Sequence, residues 1–407
     1  MTGWRAASIT IALWALLGSL GAPVTASEPI RIGASLAMTG IYAALGQNQH
    51  RGYELCVKHT NDKGGVLDRS VELVMYDDQS DPKTAIGLYE KLITVDKVDV
   101  VLGPYSSGIT EAVANVNEKH KMPMVAPMAA ATGIYKKGRQ FIFMVQSPAE
   151  VYLEGFVDLV VTHGLSSIAF MNQDTLFPRA TVEGAIKLAK RKGLRIVFRG
   201  TYARGTKDFS PILTKVRAAN PDAIGAATFF DDAVGITRDL KRLNMNPKMY
   251  GVTVGADLAK FHEMLGQDAE FVYGASQWMP ELVTLRAGGM IPIARQYPGA
   301  KEFTESYRKE YPGADFSYHA AGGYAGCQIL IEAIRRAGSL DGEKIRDTIL
   351  RMDLNTVYGG FRVDREGIQV SHRMVTFQRQ DGEKVIVWPE ELTARKPRFP
   401  TPPWSQR

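Results

Sequence analysis

Short apolar runs alternate with longer amphipathic segments almost without interruption along the chain. Runs such as residues 30–36 have the length of buried strands, whereas Ile109, Val113 and Val116 fall at i, i+4 and i+7 on one face of a helix. Strands that alternate with helices in this way are typical of a parallel sheet with crossover helices. The pattern therefore predicts an α/β fold.

The runs form two series, each long enough for one doubly wound sheet. The first series predicts strands at 30–36, 71–76, 98–103 and 124–127, with helices at 51–62 and 82–95. The second series predicts strands at 168–171, 194–198, 223–229 and 249–254, with a helix through Val182 and another at 233–243. A chain of 407 residues is also more than a single core usually holds, which favours two domains.

The last third of the chain is too short for a third domain. It contains a predicted helix at 320–337 and predicted strands at 361–363, 374–378 and 385–388. We expect this part to cross back and complete both sheets, so that several strands connect two lobes that move as a hinge. The predicted lobes are 28–146 plus 275–368 and 147–274 plus 369–390, followed by a tail at 391–407.

Glycine, proline and capping residues mark several helix ends. Gly64-Gly65 can end a helix because glycine enters the left-handed region without steric cost. Asp81 precedes a proline and is predicted to cap the next helix, and Ser210, which also precedes a proline, is predicted to do the same. These features concern the architecture and do not point to a function.

The N-terminus has the three parts of a secretory signal: Arg5, an apolar run at 6–20, and small residues before position 27. The apolar run is shorter than the ~20 residues that a membrane-spanning helix needs. We predict cleavage after Ala26 and export to the periplasm. No cysteine lies near that point for lipid attachment, so the mature chain is expected to diffuse freely.

The formal charge of +6 at pH 7 is distributed without a Lys/Arg block, which argues against nucleic acid as a partner. The charge slightly favours anionic ligands. The seven histidines lack metal-binding spacings, and no dinucleotide fingerprint follows the first strand. Neither a metal nor a cofactor is therefore expected.

The two cysteines, Cys56 and Cys327, both fall in predicted helices. An exported chain reaches a compartment in which a disulfide can form, but two buried thiols fit the same pattern. Both states stay open, because the sequence does not show whether the two helices touch.

The usual spacings of catalytic residues are absent from the sequence. It contains no Gly-x-Ser-x-Gly, no Gly-x-x-x-x-Gly-Lys-Ser/Thr and no His-Glu-x-x-His. A binding protein is therefore predicted rather than an enzyme, with a hydrolase as the weaker alternative.

Ser106 and Ser107 lie where the strand predicted at 98–103 ends and a helix begins. Their hydroxyls and the first backbone N–H groups of the helix should point into a crevice at the carboxyl ends of the strands. Such donors suit an anion, whereas a helix cap that touches no ligand is the alternative. We predict a carboxylate site here.

Four fragments occur in an order and spacing that are specific in combination. They are Ile32-Gly33-Ala34-Ser35-Leu36 with Thr39-Gly40, Asn61-Asp62-Lys63-Gly64-Gly65-Val66, Tyr76-Asp77-Asp78 with Asp81-Pro82, and Gly103-Pro104-Tyr105-Ser106-Ser107. In this arrangement the chain resembles the leucine/isoleucine/valine-binding proteins of bacterial ABC importers, from about residue 30 to about residue 389. The resemblance implies a type I periplasmic-binding fold, a small-molecule ligand between the lobes, a membrane permease as partner and a monomeric state.

The resemblance also implies ligand contacts in the loop after the strand at 124–127. Ala129, Ala130 and Thr132 lie where the family holds the carboxylate and ammonium of an amino acid. Ala130 departs from the family because it lacks the usual hydroxyl, so only its backbone N–H is available. A shift of the loop would bring in the Thr132 hydroxyl instead.

Thr253 is a second departure, because the family often has an acid there that pairs the ammonium of the ligand. Burying an unpaired ammonium is costly enough to remove micromolar binding. Either the ligand has no ammonium, or another acid supplies the charge. The candidate acids are Asp174, Asp231, Asp232 and Glu281.

Apolar side chains are predicted to line the rest of the site, with core packing as the alternative for each. Phe177 is a third departure, because the family usually has a tyrosine there. The segment 282–298 is longer than the family's loop and is expected either to cover the cleft or to lie on the surface. The apolar candidates are Tyr42, Leu45, Phe177, Phe229, Phe230 and Trp278.

These observations rank three functions. The first is the binding component of an ABC-type importer of branched-chain or aliphatic amino acids, with closure of the lobes over the ligand. Ala130, Thr253 and Phe177 favour, as the alternative, an aromatic or alkyl carboxylate without an ammonium. A ligand sensor that acts on a separate signalling partner is the alternative from another class.

Overall fold

The computed structural model describes residues 1, 27–283, 286–287, 291–393 and 395–407. Residues 2–26 of the predicted signal segment lie outside the described residues, as does part of the segment 282–298. Within the described ranges, no helix is long and apolar enough to cross a membrane. No cluster of three or more His, Cys, Asp or Glu side chains in these ranges could hold a metal ion.

The first sheet contains five parallel strands. They are β1 (Ile30–Leu36), β2 (Val71–Asp77), β3 (Val100–Leu102), β4 (Met124–Ala126) and β5 (Ile142–Met144). Their order is β2-β1-β3-β4-β5, so the strand order reverses between β1 and β3. In such sheets the loops at the carboxyl ends beside the reversal form a crevice for ligands.

The second sheet contains seven strands in the order β16-β15-β10-β9-β8-β6-β7, of which β15 runs antiparallel to its two neighbours. They are β6 (Ser167–Gln173), β7 (Arg195–Tyr202), β8 (Ala223–Ala227), β9 (Met249–Val252), β10 (Tyr273–Ser276), β15 (Val375–Gln380) and β16 (Glu383–Trp388). Two short hairpins complete the strands, β11 (Arg286–Ala287) with β12 (Ile291–Pro292) and β13 (Leu354–Thr356) with β14 (Gly359–Phe361). The predicted α/β fold with two mainly parallel sheets is confirmed.

Helices surround both sheets. They are α1 (Ala43–Asp62), α2 (Pro82–Thr94), α3 (Ser107–Lys119), α4 (Glu154–Thr162), α5 (Leu176–Arg191), α6 (Ser210–Ala219), α7 (Phe230–Arg242), α8 (Ala259–Leu265), α9 (Ala300–Glu310), α10 (Tyr318–Ala337) and α11 (Gly342–Arg351). We call the first sheet with α1–α3, α10 and α11 lobe 1, and the second sheet with α4–α8 lobe 2. The predicted residue boundaries of the lobes stay predictions.

Helix α1 begins at Ala43, eight residues before the predicted start at position 51. The polar side chains of its first half hide the apolar pattern, although several of them are buried. Gln49 Nε2, for example, donates to Gly103 O at 3.0 Å, below the end of β3. These buried polar side chains hydrogen-bond to groups under the crevice. A pattern of hydrophobic positions does not reveal such residues as part of a helix.

The predicted helix ends are partly confirmed. The Asp81 side chain accepts the backbone N–H of Thr84 at 2.7 Å, and α1 ends ahead of Gly64 and Gly65, both of which have positive φ. The capping role predicted for Ser210 is wrong. Its hydroxyl and N–H both bind the carboxylate of Asp208, at 2.5 and 3.0 Å, and so do not cap the helix.

Helices α1 and α10 pack closely against each other in lobe 1 because glycine lies at their contact. A Cβ atom at Gly52 would lie 2.2 Å from Ala320 O, and one at Gly323 would lie 2.5 Å from Gln49 O. A disulfide joins Cys56 of α1 to Cys327 of α10, with a Cα–Cα distance of 6.1 Å. The alternative of two free thiols is therefore wrong.

Three segments cross between the lobes, after β5, after β10 and after β14. Side chains connect all three. The backbone N–H of Ser147 donates to Gln277 Oε1 at 3.0 Å, and the Ser147 hydroxyl donates to His372 O at 3.1 Å. This arrangement is a hinge of several parallel connections, which restricts the lobes to opening and closing rather than free rotation.

The C-terminal tail packs on lobe 2. The indole N–H of Trp404 donates to Met245 O at 2.8 Å, and the N–H of Thr401 donates to Lys248 O at 3.1 Å. These bonds fix the tail at the edge of the lobe, away from the crevice described next.

Candidate functional site

A small cavity of about 10 Å³ lies where the loops at the carboxyl ends of the two sheets meet. Lobe 1 contributes the loops after β3 and β4 and the start of α10, and lobe 2 contributes the start of α5 and the loops after β8 and β9. The cavity is lined by Tyr105, Ser106, Ser107, Met128, Gln146, Tyr152, Phe177, Phe229, Val254, Tyr318 and His319.

Ser106 and Ser107 lie where the sequence predicted them, at the start of α3 and on the wall of the cavity. Both are buried. Ser107 Oγ accepts the backbone N–H of Ala131 at 3.2 Å, which leaves its own hydroxyl proton available. The first backbone N–H groups of a helix have no partner within the helix, so this wall of the cavity presents several donors at a positive helix end.

The loop after β4 contributes Met128 to the cavity lining. The residues of this loop that the sequence predicted as ligand contacts form hydrogen bonds elsewhere. Ala130 O accepts the N–H of Ala149 at 2.8 Å, and Ala129 O accepts the Tyr135 hydroxyl at 2.8 Å. The Thr132 hydroxyl donates to Glu150 Oε1 at 2.6 Å. The structure therefore does not bring Ala129, Ala130 or Thr132 to the lining of the cavity.

Aromatic rings from both lobes form the apolar wall. Phe177 and Phe229 of lobe 2 lie 5.8 Å apart, measured between ring centroids. Phe229 contacts Tyr42 of lobe 1 at 4.7 Å, and Phe177 contacts Tyr152 at 4.8 Å. Tyr42 and Leu45 are buried, so the alternative of an exposed loop tip does not apply to them. Such edge and tilted contacts hold the lobes together through apolar surface.

Five other predicted residues lie outside the cavity lining: Tyr42, Leu45, Phe230, Thr253 and Trp278. Thr253 Oγ1 donates to Thr228 O at 3.1 Å and accepts the Thr228 N–H at 2.9 Å, so it holds β9 to the end of β8. The indole of Trp278 packs against Phe303 and Phe316, at 6.0 and 5.6 Å. Phe230 is the buried first residue of α7.

None of the four candidate acids lines the cavity. Asp174 is paired with Arg179, and Asp231 lies 3.5 Å from Lys207. Asp232 is buried at the start of α7, where its carboxylate accepts the N–H of Phe229 at 3.2 Å. Burial raises the pKa of Asp232 to about 6.

Glu281 lies in a separate, wider groove of about 910 Å³ between α1, α8 and the β15–β16 hairpin. Many of the side chains that line this groove are charged. A ligand site usually has mostly apolar walls and few polar groups, and the smaller cavity fits that description better. We therefore take the smaller cavity as the candidate site.

The sequence did not point to several cavity residues. Tyr105 adjoins the predicted serines, but Tyr152, Tyr318 and His319 come from segments that carry no motif. The Tyr152 hydroxyl donates to Gln146 Oε1 at 2.7 Å. Burial raises the pKa of the tyrosines and lowers that of His319 to about 3, so these groups are neutral at physiological pH.

An arginine connects the lobes at the rim of the crevice. Arg204 of lobe 2 donates to Ser80 O of lobe 1 at 2.7 Å, and its guanidinium lies 5.3 Å from the ring centroid of Tyr42. The structure is thus a closed arrangement of the two lobes, in which water is largely excluded from the cavity. Polar contacts inside such a site are stronger than they would be in water.

Comparisons with known proteins cover nearly the whole chain. The profile of a family described as periplasmic binding protein matches residues 29–384. Leu/Ile/Val-binding protein homolog 7 of Brucella melitensis is 26% identical over 396 residues, which cover 94% of this chain and 96% of the relative. The family resemblance inferred from the sequence is confirmed.

Two solved structures show the same fold. A leucine-binding protein of Thermotoga maritima is 24% identical, with a TM-score of 0.76 and coverage of 88% of this chain and 97% of its own. The solute-binding protein of an ABC transporter from R. palustris, solved in complex with benzoate, is 19% identical, with a TM-score of 0.76 and coverage of 90% and 98%.

Proposed function

This chain belongs to the periplasmic binding protein family, and from that premise we propose that it captures a small carboxylate between its lobes for uptake by an ABC importer. The observation that carries the proposal is Ser107, which lies at the buried start of α3 on the wall of a closed, largely apolar cavity. The signal segment predicted at 1–26 fits export to the periplasm. The permease that receives the ligand is part of the same proposal.

The polar wall has enough donors for one carboxylate. The end of a helix contributes ~0.3–1 kcal/mol to anion binding, or ~2 kcal/mol when it is partly buried. Each hydrogen bond to the charged carboxylate adds ~1.5–3 kcal/mol. Ser106, Ser107 and the free N–H groups of α3 together therefore supply a large part of the about −8 kcal/mol that micromolar affinity requires.

In the closed arrangement the cavity is small. At about 10 Å³ it has room for about one water molecule, so the lobes must separate to admit a small ligand. Phe177, Phe229 and Met128 would cover an apolar side chain. Branched-chain or aliphatic amino acids are our first choice, in agreement with the leucine-binding protein of T. maritima.

An aromatic or alkyl acid without an ammonium is the second candidate. It is favoured by Thr253, which has no charge and uses its hydroxyl within lobe 2. The aromatic rings on the cavity wall and the benzoate bound by the protein from R. palustris agree with it.

Substitution of Ser107 by alanine tests the carboxylate site. The chain 27–407, freed of bound ligand by unfolding and refolding, is titrated calorimetrically with L-leucine, L-isoleucine, L-valine and benzoate. Loss of one charged hydrogen bond predicts at least ~10-fold weaker binding of every acid that the unchanged protein binds. Ser210→Ala is the matched control, because Ser210 also begins a helix but lies at α6, away from the cavity. Unchanged affinity in a folded Ser107→Ala protein would contradict the proposal.

A further inference from the structure

The imidazole of His319 is a polar group of the cavity that the proposed carboxylate site does not use. His319 is fully buried at the start of α10 in lobe 1, and its side chain lines the cavity. Its Nε2 atom has no hydrogen-bond partner among the described residues. A buried polar atom without a partner is unfavourable, so a bound ligand that satisfies it gains affinity.

Asp257 of lobe 2 lies directly behind this histidine. It follows β9, is 1% exposed, and its Oδ2 atom is 3.8 Å from His319 Nδ1. The other oxygen accepts a long bond from the N–H of Gly255, at 3.3 Å, and Oδ2 has no hydrogen-bond partner in the described chain. Closure of the lobes therefore brings an incompletely satisfied carboxylate up to His319, although Asp257 itself is not part of the cavity lining.

The nearby cations do not satisfy this carboxylate. Lys384 Nζ donates to the backbone O of Asp257 at 2.8 Å, and the Arg379 guanidinium donates to the backbone O of Ala256 and Leu258. Neither forms an ion pair with the Asp257 carboxylate among the described residues, although Lys384 acts on it at longer range. Burial raises the pKa of Asp257 to about 6, so the group is an anion at pH 7.5.

The pair presents an acceptor to the cavity. A carboxylate beside Nδ1 favours a proton on that nitrogen, which leaves the lone pair of Nε2 free to accept a hydrogen bond. The Ser317 hydroxyl lies 3.1 Å from Nδ1 and accepts the backbone N–H of His319. Because a hydroxyl oxygen has two lone pairs, it can also accept the proton on Nδ1. The neutral Nε2 atom, with the Asp257 carboxylate on the other side of the imidazole ring, is a good acceptor for a positively charged donor.

We infer that Asp257 and His319 recognise the ammonium of the ligand, in place of the acid that is missing at Thr253. The inference rests on the proposed function, because Ser107 and α3 must hold the carboxylate of the same molecule. It assigns the ligand to amines that carry a carboxylate, and it places the two charged ends of the ligand on different structural elements. Amino acids then bind more tightly than acids of the same carbon skeleton without the ammonium.

The test compares paired ligands by calorimetric titration at pH 7.5. L-leucine is paired with 4-methylpentanoate, L-valine with 3-methylbutanoate, and L-phenylalanine with 3-phenylpropanoate. For the pair that binds most tightly, the unchanged protein should favour the amino acid by at least ~10-fold, which is ~1.4 kcal/mol. Asp257→Asn should remove most of this preference and leave the affinity for the ammonium-free acid within ~3-fold.

Two further variants keep the result interpretable. His319→Gln should also reduce the preference, and it provides a second test if Asp257→Asn does not fold. Asp232→Asn is the matched control, because Asp232 is a buried acid of lobe 2 whose carboxylate accepts from Gln173 and Phe229 and not from His319, and it should keep the preference. Thermal unfolding checks that each variant is folded.

The outcomes separate the inference from the proposed function. Equal affinity of the unchanged protein for both members of each pair would overturn the inference, as would a preference that survives in both Asp257→Asn and His319→Gln. If Ser107→Ala weakens both acids in these cases, the carboxylate site stands and only the ammonium pair is lost. If neither acid binds, or Ser107→Ala has no effect, the proposed function itself fails.

Discussion

Asp78 shows at the scale of one residue how burial changes the chemistry of a side chain. It is buried at the end of β2, where Oδ2 accepts the Ser35 hydroxyl at 3.0 Å and Oδ1 accepts the Ser80 N–H at 3.0 Å. Burial raises the pKa of Asp78 to about 6, and the nearby Asp77 and Asp81 add to the effect. Two hydrogen bonds therefore do not fully offset the loss of hydration of this carboxylate.

The stability of Asp78→Asn relative to the unchanged protein should depend on pH. Because the pKa of Asp78 in the folded state is above its value of ~3.9 in the unfolded chain, the stability linked to this group is present below about pH 4 and is lost as the pH rises through about 6. The free energy of unfolding of Asp78→Asn should therefore rise by ~2–2.5 kcal/mol relative to the unchanged protein between about pH 4 and about pH 7.

Urea unfolding at both pH values measures this difference. Asp353→Asn, a change at an exposed acid, is the control and should show no such trend. A difference between Asp78→Asn and the unchanged protein that is the same at both pH values would contradict the account.

Single residues were predictable where a motif marks a strand end. Ser106, Ser107, Phe177 and Phe229 line the cavity as the sequence suggested. Asp257 and His319 carry no motif, and only their contact across the crevice makes them notable. Trp278 is the reverse case, because an aromatic residue after a strand packs equally well into a core.

At the scale of the elements, α1 and α10 form the central contact of lobe 1. Glycine allows their close approach, and the disulfide between Cys56 and Cys327 closes a loop with a sequence separation of 271 residues. A bond that closes so long a loop restricts the unfolded chain strongly, and its removal typically costs ~2–5 kcal/mol.

The paired change Cys56→Ser with Cys327→Ser should lower the free energy of unfolding by ~2–5 kcal/mol. Reductant should lower the thermal midpoint of the unchanged protein and leave that of the double variant unaltered. Calorimetric scans with and without dithiothreitol measure both effects. If neither the reductant nor the substitution shifts the midpoint, the disulfide does not stabilise lobe 1.

The elements themselves were largely predictable, because the strands that form the interiors of both sheets are short apolar runs. The errors lie where polar side chains are buried or where apolar residues continue past a strand. The first half of α1 was missed because its polar side chains are buried. Strand β8 was predicted too long because apolar residues continue past it: it ends at Ala227 instead of the predicted 229, and Phe229 precedes α7.

At the scale of the molecule, the function that we propose depends on how the two lobes meet. That relation was not predictable, because the cavity residues come from distant segments that only the folded chain brings together. The three connections of the hinge and the Arg204–Ser80 hydrogen bond fix the closed arrangement. A ligand that contacts both lobes shifts the population towards this state by its difference in affinity for the two states.

A crystal structure of residues 27–407 with the most tightly bound acid tests this account most directly. We predict that the carboxylate oxygens lie ~2.7–3.2 Å from Ser107 Oγ and from the first N–H groups of α3, with Phe177 and Phe229 over the apolar part. A ligand in the groove beside α8, or one in the cavity whose carboxylate points away from Ser107, would contradict the account.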